Sequence, residues 1–474
     1  MIKYIIGWIL LFEMLFLLLP TITGLAYMEK ATFSFLITMA ICAACGGLLV
    51  IRKPANTKLY AREGYVIVAL SWVVLSLFGA LPFMLSGVTS SYIDALFETV
   101  SGFTTTGASI FGAVEELPKC ILMWRSFSHW VGGMGVLVFI MAFIPLSGAQ
   151  NMFIMKAESP GPSVSKLVPR VKTTALILYS IYAVMTFTQF ILLLFGGMSV
   201  FEALTTAFAT AGTGGFSVKN NSMLGYSPYL QIVTAVFMLL FSINFNSFYL
   251  LSKRKLKEAF NAEVRCFLLI VLVVVTVITL NTRHLFGSLG EGVRHVFFTV
   301  SSIISTTGFS TVDFDIWPQL SRALILLIMC IGACAGSTGG GIKVSRIMIL
   351  CKGVTKEIRM MLHPKQVKKI SMDGRPVEHE VVRSVNAYIV CYLLLFIISV
   401  VAVSVDNHDL VTGFSSVMAT INNIGPGLNM VGPTQNFSFF SDTSKIVLIF
   451  DMLAGRLELF PMLLLFSPAT WRKH

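Results

Sequence analysis

Thr104-Thr105-Thr106-Gly107-Ala108-Ser109 is a polar, glycine-bearing turn set between two strongly apolar stretches. Related turns return at Thr213-Gly214-Gly215-Phe216-Ser217, at Ser305-Thr306-Thr307-Gly308-Phe309-Ser310 and at Asn422-Asn423-Ile424-Gly425-Pro426-Gly427. Each follows a segment well short of the roughly 20 residues that cross a hydrocarbon core, and each precedes a long apolar helix. Non-helical backbone at membrane depth survives only inside protein or beside an aqueous cavity. The four turns are therefore read as re-entrant loops whose backbone carbonyls jointly strip and hold a permeating cation.

The surrounding composition agrees with a membrane setting. Of 474 residues, 55% are hydrophobic and only 12% charged, too few charges to cover a soluble surface of this size. The apolar run from about Tyr4 to Tyr27 is too long for a signal-peptide core and reads as a retained transmembrane helix. The net charge of +12 resembles a nucleic-acid signal until it is mapped. Most of the 35 Lys and Arg sit at Lys3, Arg52–Arg62, Lys156–Lys172, Lys253–Arg265, Lys343–Arg383, and Arg472 with Lys473, in loops that an even helix count places on one side. That side is cytoplasmic by the positive-inside rule, with both termini inside, and no nucleic-acid partner is expected. The cysteine pairs Cys42/Cys45 and Cys330/Cys334 lie in apolar helices without His or further Cys at zinc-site spacing, and read as structural thiols.

The expected fold is an all-α polytopic membrane protein of ten transmembrane helices and four re-entrant pore loops. An N-terminal helix pair (Tyr4–Tyr27, Phe33–Ile51; residues 1–62) precedes four helix–loop–helix repeats at 63–172, 173–263, 264–382 and 383–474. Every repeat begins and ends on the cytoplasmic side, which predicts a pseudo-fourfold ring in place of an inverted repeat. Glu13 should face protein within its helix, because lipid exposure of a carboxylate is costly.

Rings of carbonyls replace an alkali ion's hydration shell without an anion that would trap it. Glycine reaches the dihedrals that such carbonyls need, and each short helix aims a partially negative C-terminus at the ion. The candidate filter residues are Thr105, Thr106 and Gly107; Thr213, Gly214 and Gly215; Thr306, Thr307 and Gly308; and Asn423, Ile424 and Gly425. A lone Thr-Gly turn reads as a packing device, but four at the same place in four repeats point to a filter.

Two features suggest a gate below it. Gly336-Ser337-Thr338-Gly339-Gly340-Gly341 should break the second helix of repeat three, and no Lys-Ser/Thr follows to make it a phosphate loop. Arg456 lies within the last apolar stretch, where Asp451 and Glu458 are not at helical ion-pair spacing. It either faces the pore as part of a constriction with the glycine loop or is satisfied by backbone carbonyls of the interrupted helix, and the two are compatible. Asn244 and Asn246 either line the pore or bond neighbouring helices, Gly132-Gly133-Met134-Gly135 reads as close helix packing, and His129 as a packed residue.

The four turns, Cys334-Ala-Gly-Ser-Thr-Gly-Gly-Gly341 and Gly455-Arg456-Leu457-Glu458 together make the chain resemble the Trk/Ktr/HKT superfamily of cation transporters. The extra N-terminal helix pair places the likeness in the Trk branch, with bacterial TrkH/TrkG potassium uptake subunits. Thr213 and Thr307 sit where the family varies. The resemblance implies potassium as the transported substrate, no covalent cofactor, and location in a bacterial cytoplasmic (inner) membrane. It implies a homodimer and a cytoplasmic TrkA-type ring that binds nucleotide and docks near the basic segment Lys343–Arg383; membrane lipid is the other partner of such basic loops. Plant relatives that prefer sodium often carry serine where this chain has Gly107. Channel-like and ion-coupled (symporter) transport both stay open, as does a sodium-coupled or weakly selective member of the superfamily. A polytopic membrane enzyme is the other class, but no Ser-His, paired-Asp or H-E-x-x-H pattern supports one, so the chain is read as a transporter.

Overall fold

The N-terminal pair is an antiparallel helical hairpin of Ile2–Phe16, continued by Leu18–Ala26, and Thr32–Val50. Gly7 and Gly46 face each other so closely that a Cβ on either would lie under 3 Å from the other's carbonyl oxygen. In a membrane, where burial between helices gains little over lipid, such close backbone approach supplies the packing energy. Glu13 is fully buried against the protein, near Gly79 at the end of the next helix.

This structure, a computed structural model, describes residues 1–52, 61–135, 171–364 and 369–472. The apolar stretch of the first repeat that reads as its second helix, Ile121–Leu146, lies beyond Gly135 outside the described residues, as do Lys53, Lys58, Lys156, Lys166 and Arg170 of the basic loops. Among the described residues six helices are long and apolar enough to cross a membrane, and Pro228–Phe241 with Phe245–Ser252 adds a pair bent by 93°. The fold is a helical, multi-pass membrane fold. Its one departure from all-helical structure among the described residues is a hairpin of two two-residue strands, Ser371–Met372 and Arg375–Pro376. Asp373-Gly374 forms its turn with positive φ at both positions, the residue pair that a tight hairpin favours.

Four long helices, Ala61–Gly79, Val171–Phe195, Ala262–Thr282 and His379–Val403, each lead to a short helix: Tyr92–Phe103, Val200–Gly212, Leu289–Ile304 and Leu410–Ile421. Each short helix starts at a side-chain cap, where Ser91, Ser199, Ser288 and Asp409 accept from the backbone N–H groups of Asp94, Glu202, Glu291 and Thr412. Capping fixes where these helices begin, and hence how deep their far ends reach. Ser199 and Glu202 form a complete capping box.

The second helices of repeats two, three and four are shorter than the sequence suggests, and that of repeat one is described as far as Gly133. They are Lys119–Gly133, Pro228–Phe241, Gln319–Ile331 and Asp442–Arg456, of 15, 14, 13 and 15 residues. The apolar stretches Tyr229–Leu251 and Lys445–Phe466, each long enough to read as one continuous span, are both broken, at Ser242–Asn244 and at Leu457–Leu459 respectively. Asn244 caps the helix that resumes after the first break, and at the second Glu458 and Leu459 both take positive φ. In repeat three the interruption runs from Gly332 to Lys343, beyond both ends of the expected 336–341 loop. Interruption is thus common to repeats two, three and four.

Candidate ion-conduction site

Each short helix ends in the same way. The residues Thr105, Thr213, Thr306 and Asn423 take left-handed φ of 56°, 57°, 60° and 55°. The next residue's N–H then bonds back five positions, from Thr106 to Ser101, Gly214 to Ala209, Thr307 to Ser302 and Ile424 to Ala419, at 2.8–2.9 Å. This is the closure by which helices stop at a left-handed residue, normally glycine or asparagine. Threonine there is unusual, because a left-handed L-residue costs about 1–2 kcal/mol and a β-branched one is a genuine outlier. Two residues later Gly107, Gly215, Gly308 and Gly425 also have positive φ, from 75° to 99°. The chain reverses between these points, leaving the carbonyls in between unused by the helix.

Those carbonyls face the neighbouring turns. A Cβ on Gly107 would lie 1.9 Å from the carbonyl oxygen of Gly214; on Gly215, 1.9 Å from that of Thr307; on Gly308, 2.2 Å from that of Ile424; on Gly425, 2.8 Å from that of Thr106. The four contacts close a ring: first turn to second, second to third, third to fourth, fourth to first. Any side chain at the glycines would strike the next turn's backbone. Thr105, Thr106, Thr213, Gly214, Thr306, Thr307, Asn423 and Ile424 are buried, and Gly107, Gly215 and Gly308 are half-exposed beside them.

Side chains behind the ring hold it. The Asn423 amide donates to the Thr106 hydroxyl at 3.0 Å, joining the fourth turn to the first. Arg125 and Glu98, both buried, form an ion pair at 2.7 Å. Glu98 also accepts from the Ile110 N–H and the Ser109 hydroxyl, while Arg125 donates to the Ser217 carbonyl and stacks 4.1 Å from the Phe216 ring. One guanidinium therefore ties the exit of the first turn to that of the second. His129 makes a parallel link. Its Nδ1 lies 2.7 Å from the Gly102 carbonyl and its Nε2 accepts the Phe216 N–H at 3.2 Å, which fixes the Nδ1–H tautomer. From the sequence Glu98 reads as one of the acids of the outer face; its burial against Arg125 is not legible there, because the two are 27 residues apart and only the tertiary fold pairs them, and the intramembrane position of Arg125 is the available signal.

The repeat-three loop lies against the inner side of the turns. Gly340 N–H donates to the Thr306 hydroxyl at 2.7 Å, and Gly341 N–H to the Asn422 carbonyl at 3.1 Å. A Cβ on Gly340 would sit 2.2 Å from that same carbonyl oxygen, so the loop's glycines permit contact with the turn. Cys334 and Thr338 N–H groups bond the Ser242 and Phe241 carbonyls at the break of repeat two, and Phe245 N–H returns to the Gly336 carbonyl. Asn244 lies against Gly336 at this junction and caps its own helix through the Asn246 N–H.

Arg456 stands at the C-terminal end of its helix, at the break and not midway along a continuous span. It donates to the Thr338 carbonyl at 2.8 Å and to the Gly132 and Gly133 carbonyls at 2.5 and 2.6 Å. Those two glycines are packed against Phe103 and Gly212 backbone, so the Gly132–Gly135 stretch both admits close contact and presents acceptors. The Gly336–Gly341 loop thus meets Arg456 through Thr338, while Cys334 and Thr338 bond the end of the second helix of repeat two and Arg456 bonds that of repeat one. Next to it Arg346 and Glu458 form an ion pair, with Arg346 4.0 Å over the Tyr388 ring.

Comparison with known proteins gives the family of the chain. Residues 31–473 match the model of the family TrkH, described as a cation transport protein. Over 466 residues, 96% of each chain, the sequence is 38% identical to the Trk system potassium uptake protein TrkH of Escherichia coli (strain K12). It is 36% identical to TrkH of Halomonas elongata across 100% of this chain and 99% of that one. The crystal structure of the potassium transporter TrkH from Vibrio parahaemolyticus superposes with a TM-score of 0.90, at 33% identity and 99% coverage of both chains.

Proposed function

We propose, for a chain that belongs to the TrkH family of cation transport proteins, that it takes up potassium across a bacterial inner membrane through the ring of four turns. The family is one of transporters, not of enzymes. The observation that carries the reading is the closed succession of glycine-to-carbonyl contacts, Gly107 to Gly214, Gly215 to Thr307, Gly308 to Ile424 and Gly425 to Thr106. Four equivalent carbonyls around one axis supply the oxygen shell that a dehydrated alkali ion needs. The filter is then formed by Thr105, Thr106, Gly107, Thr213, Gly214, Gly215, Thr306, Thr307, Gly308, Asn423, Ile424 and Gly425, with the four short helices directing their C-terminal dipoles at the ion.

Ten crossings follow if each interrupted second helix counts once, in four repeats at 63–172, 173–263, 264–382 and 383–474 behind the pair at 1–62. The repeats stand in pseudo-fourfold order with both termini cytoplasmic. Below the filter, the Gly336–Gly341 loop and Arg456 form the gate. The guanidinium is positive and lies in the ion's way, and its bonds to the Thr338, Gly132 and Gly133 carbonyls hold the loop across the path. Conduction requires the loop to leave the Thr306 and Asn422 contacts. The protein acts as a homodimer with a nucleotide-binding, TrkA-type cytoplasmic partner on the basic face, and nucleotide acts only through that partner. Potassium is favoured over sodium by an unsubstituted Gly107.

Growth of an uptake-deficient cell at low potassium, with the cytoplasmic partner co-expressed, tests this. Wild type should restore growth and Gly107→Ser should not, with sodium competing better in the variant. Failure of the wild-type chain to rescue would count decisively against potassium uptake. A sodium-coupled or weakly selective transporter would instead show equal competition by sodium and rubidium in wild type.

A further inference from the structure

Glu263 is a buried carboxylate, 7% exposed, in the first turn of the helix Ala262–Thr282. One oxygen, Oε1, accepts the Ala335 N–H at 2.8 Å and the Ser345 N–H at 3.1 Å. Those donors flank the glycine loop of repeat three: Ala335 immediately precedes Gly336, and Ser345 lies in the first turn of the helix Val344–Leu362 that follows the loop. A single acceptor thus fastens both ends of a segment with left-handed φ at Gly336, Gly341 and Lys343. One side-chain oxygen that accepts two backbone N–H groups at once is a clamp on otherwise irregular backbone.

The clamp is itself held from the cytoplasmic side. The N–H of Ala262, the residue before Glu263, donates to Asp373 Oδ1 at 2.8 Å, and Arg265 approaches the same carboxylate at 3.6 Å. Asp373 is the exposed turn residue of the hairpin Ser371–Pro376, whose first strand is tied to Lys352 on the helix leaving the loop. Hydrogen bonds from Asp373 to Ala262 and from Glu263 to the loop, joined by the Ala262–Glu263 peptide, thus link the exposed hairpin to the layer beneath the filter.

We propose that Glu263 is the positioning residue of the intramembrane loop, and that the Asp373 hairpin sets its position from the cytoplasm. This rests on reading the loop as the gate. With Asp373 bound to Ala262, the first turn of the helix is fixed, Glu263 holds Ala335 and Ser345 together, and the loop stays against Thr306 and Asn422. A pull on the hairpin moves that turn, draws the carboxylate from one or both donors, and frees the loop. Neither residue touches the ion, so both act on opening and not on permeation through the filter.

The test is rubidium flux and single-channel recording on the purified full chain in liposomes, without the cytoplasmic partner, for Glu263→Gln, Glu263→Asp, Asp373→Asn and a Gly336–Gly341 deletion. Asp373→Asn and Glu263→Gln should each raise resting flux roughly fivefold or more, with unit conductance and the potassium-to-sodium ratio unchanged. Glu263→Asp should retain part of the closure. Neither substitution should add to the effect of the loop deletion, because coupled sites are non-additive. If the deletion raises resting flux while Asp373→Asn and Glu263→Gln leave it at the wild-type level, the positioning role is refuted and the gate stands. Unchanged flux in the deletion variant refutes the gate itself. A changed conductance or ion preference in Glu263→Gln refutes the proposal by placing the carboxylate in the permeation path. Asp373 is at the surface, so its variant carries the test even where Glu263 variants fold poorly.

Discussion

Three of the four turns place a threonine where glycine would be less strained, at Thr105, Thr213 and Thr306, and the fourth uses Asn423. A retained cost of about 1–2 kcal/mol per site implies that the side chains serve the site, as the Thr306 hydroxyl does by accepting Gly340 N–H and the Asn423 amide by donating to Thr106. The key glycines have no such latitude. Gly107→Ala should lower rubidium uptake by more than about tenfold, since its Cβ would overlap the Gly214 carbonyl at a φ disfavoured for alanine; a radiotracer assay on cells with matched expression checks this. Arg125→Ala should leave Glu98 buried without its counter-charge and destabilise the fold by about 3–5 kcal/mol, the usual cost of breaking a buried pair. A melting curve in detergent would show it, and the double variant Glu98→Gln with Arg125→Gln should recover part of the loss.

Among the elements, the broken second helices supply the acceptors of the layer proposed as the gate. A continuous helix satisfies its own carbonyls, whereas a helix that stops at Gly133 or Phe241 leaves carbonyls for Arg456 and for the loop to bond. Arg456→Ala should remove three such bonds at once and raise resting flux roughly tenfold in liposomes, by the same fold as the loop deletion if the two act as one device. A variant with reduced resting flux would contradict that role. The capped short helices are the rigid counterpart. Replacing Ser199 with Ala should cost about 1 kcal/mol through loss of the cap, visible as a lower melting temperature with filter selectivity intact.

For the whole molecule, the proposed sidedness predicts labelling from one face only. In a Cys351→Ser background, a cysteine at the exposed Ser438 should react with an impermeant maleimide from outside and one at the exposed Lys257 only from inside; reaction of both from one side would overturn the topology. What the sequence by itself determined is what depends on local composition. Apolar length marks Ile2–Ala26, Thr32–Val50 and His379–Asp406 as spans, and the Thr-Gly turns mark where short helices must reverse. Charge asymmetry supplied the expected orientation, since Lys and Arg report on the side of the membrane without regard to packing. The interruptions at Ser242–Asn244 and Leu457–Leu459 escaped notice, because Leu457 and Leu459 are ordinary helix formers and adopt those conformations only in their tertiary setting. The pairing of Glu98 with Arg125, the links from His129 and the clamp of Glu263 on Ala335 and Ser345 were equally beyond it. Those contacts join residues far apart in the chain, and only the tertiary structure brings the four turns into a ring where each glycine meets the next carbonyl.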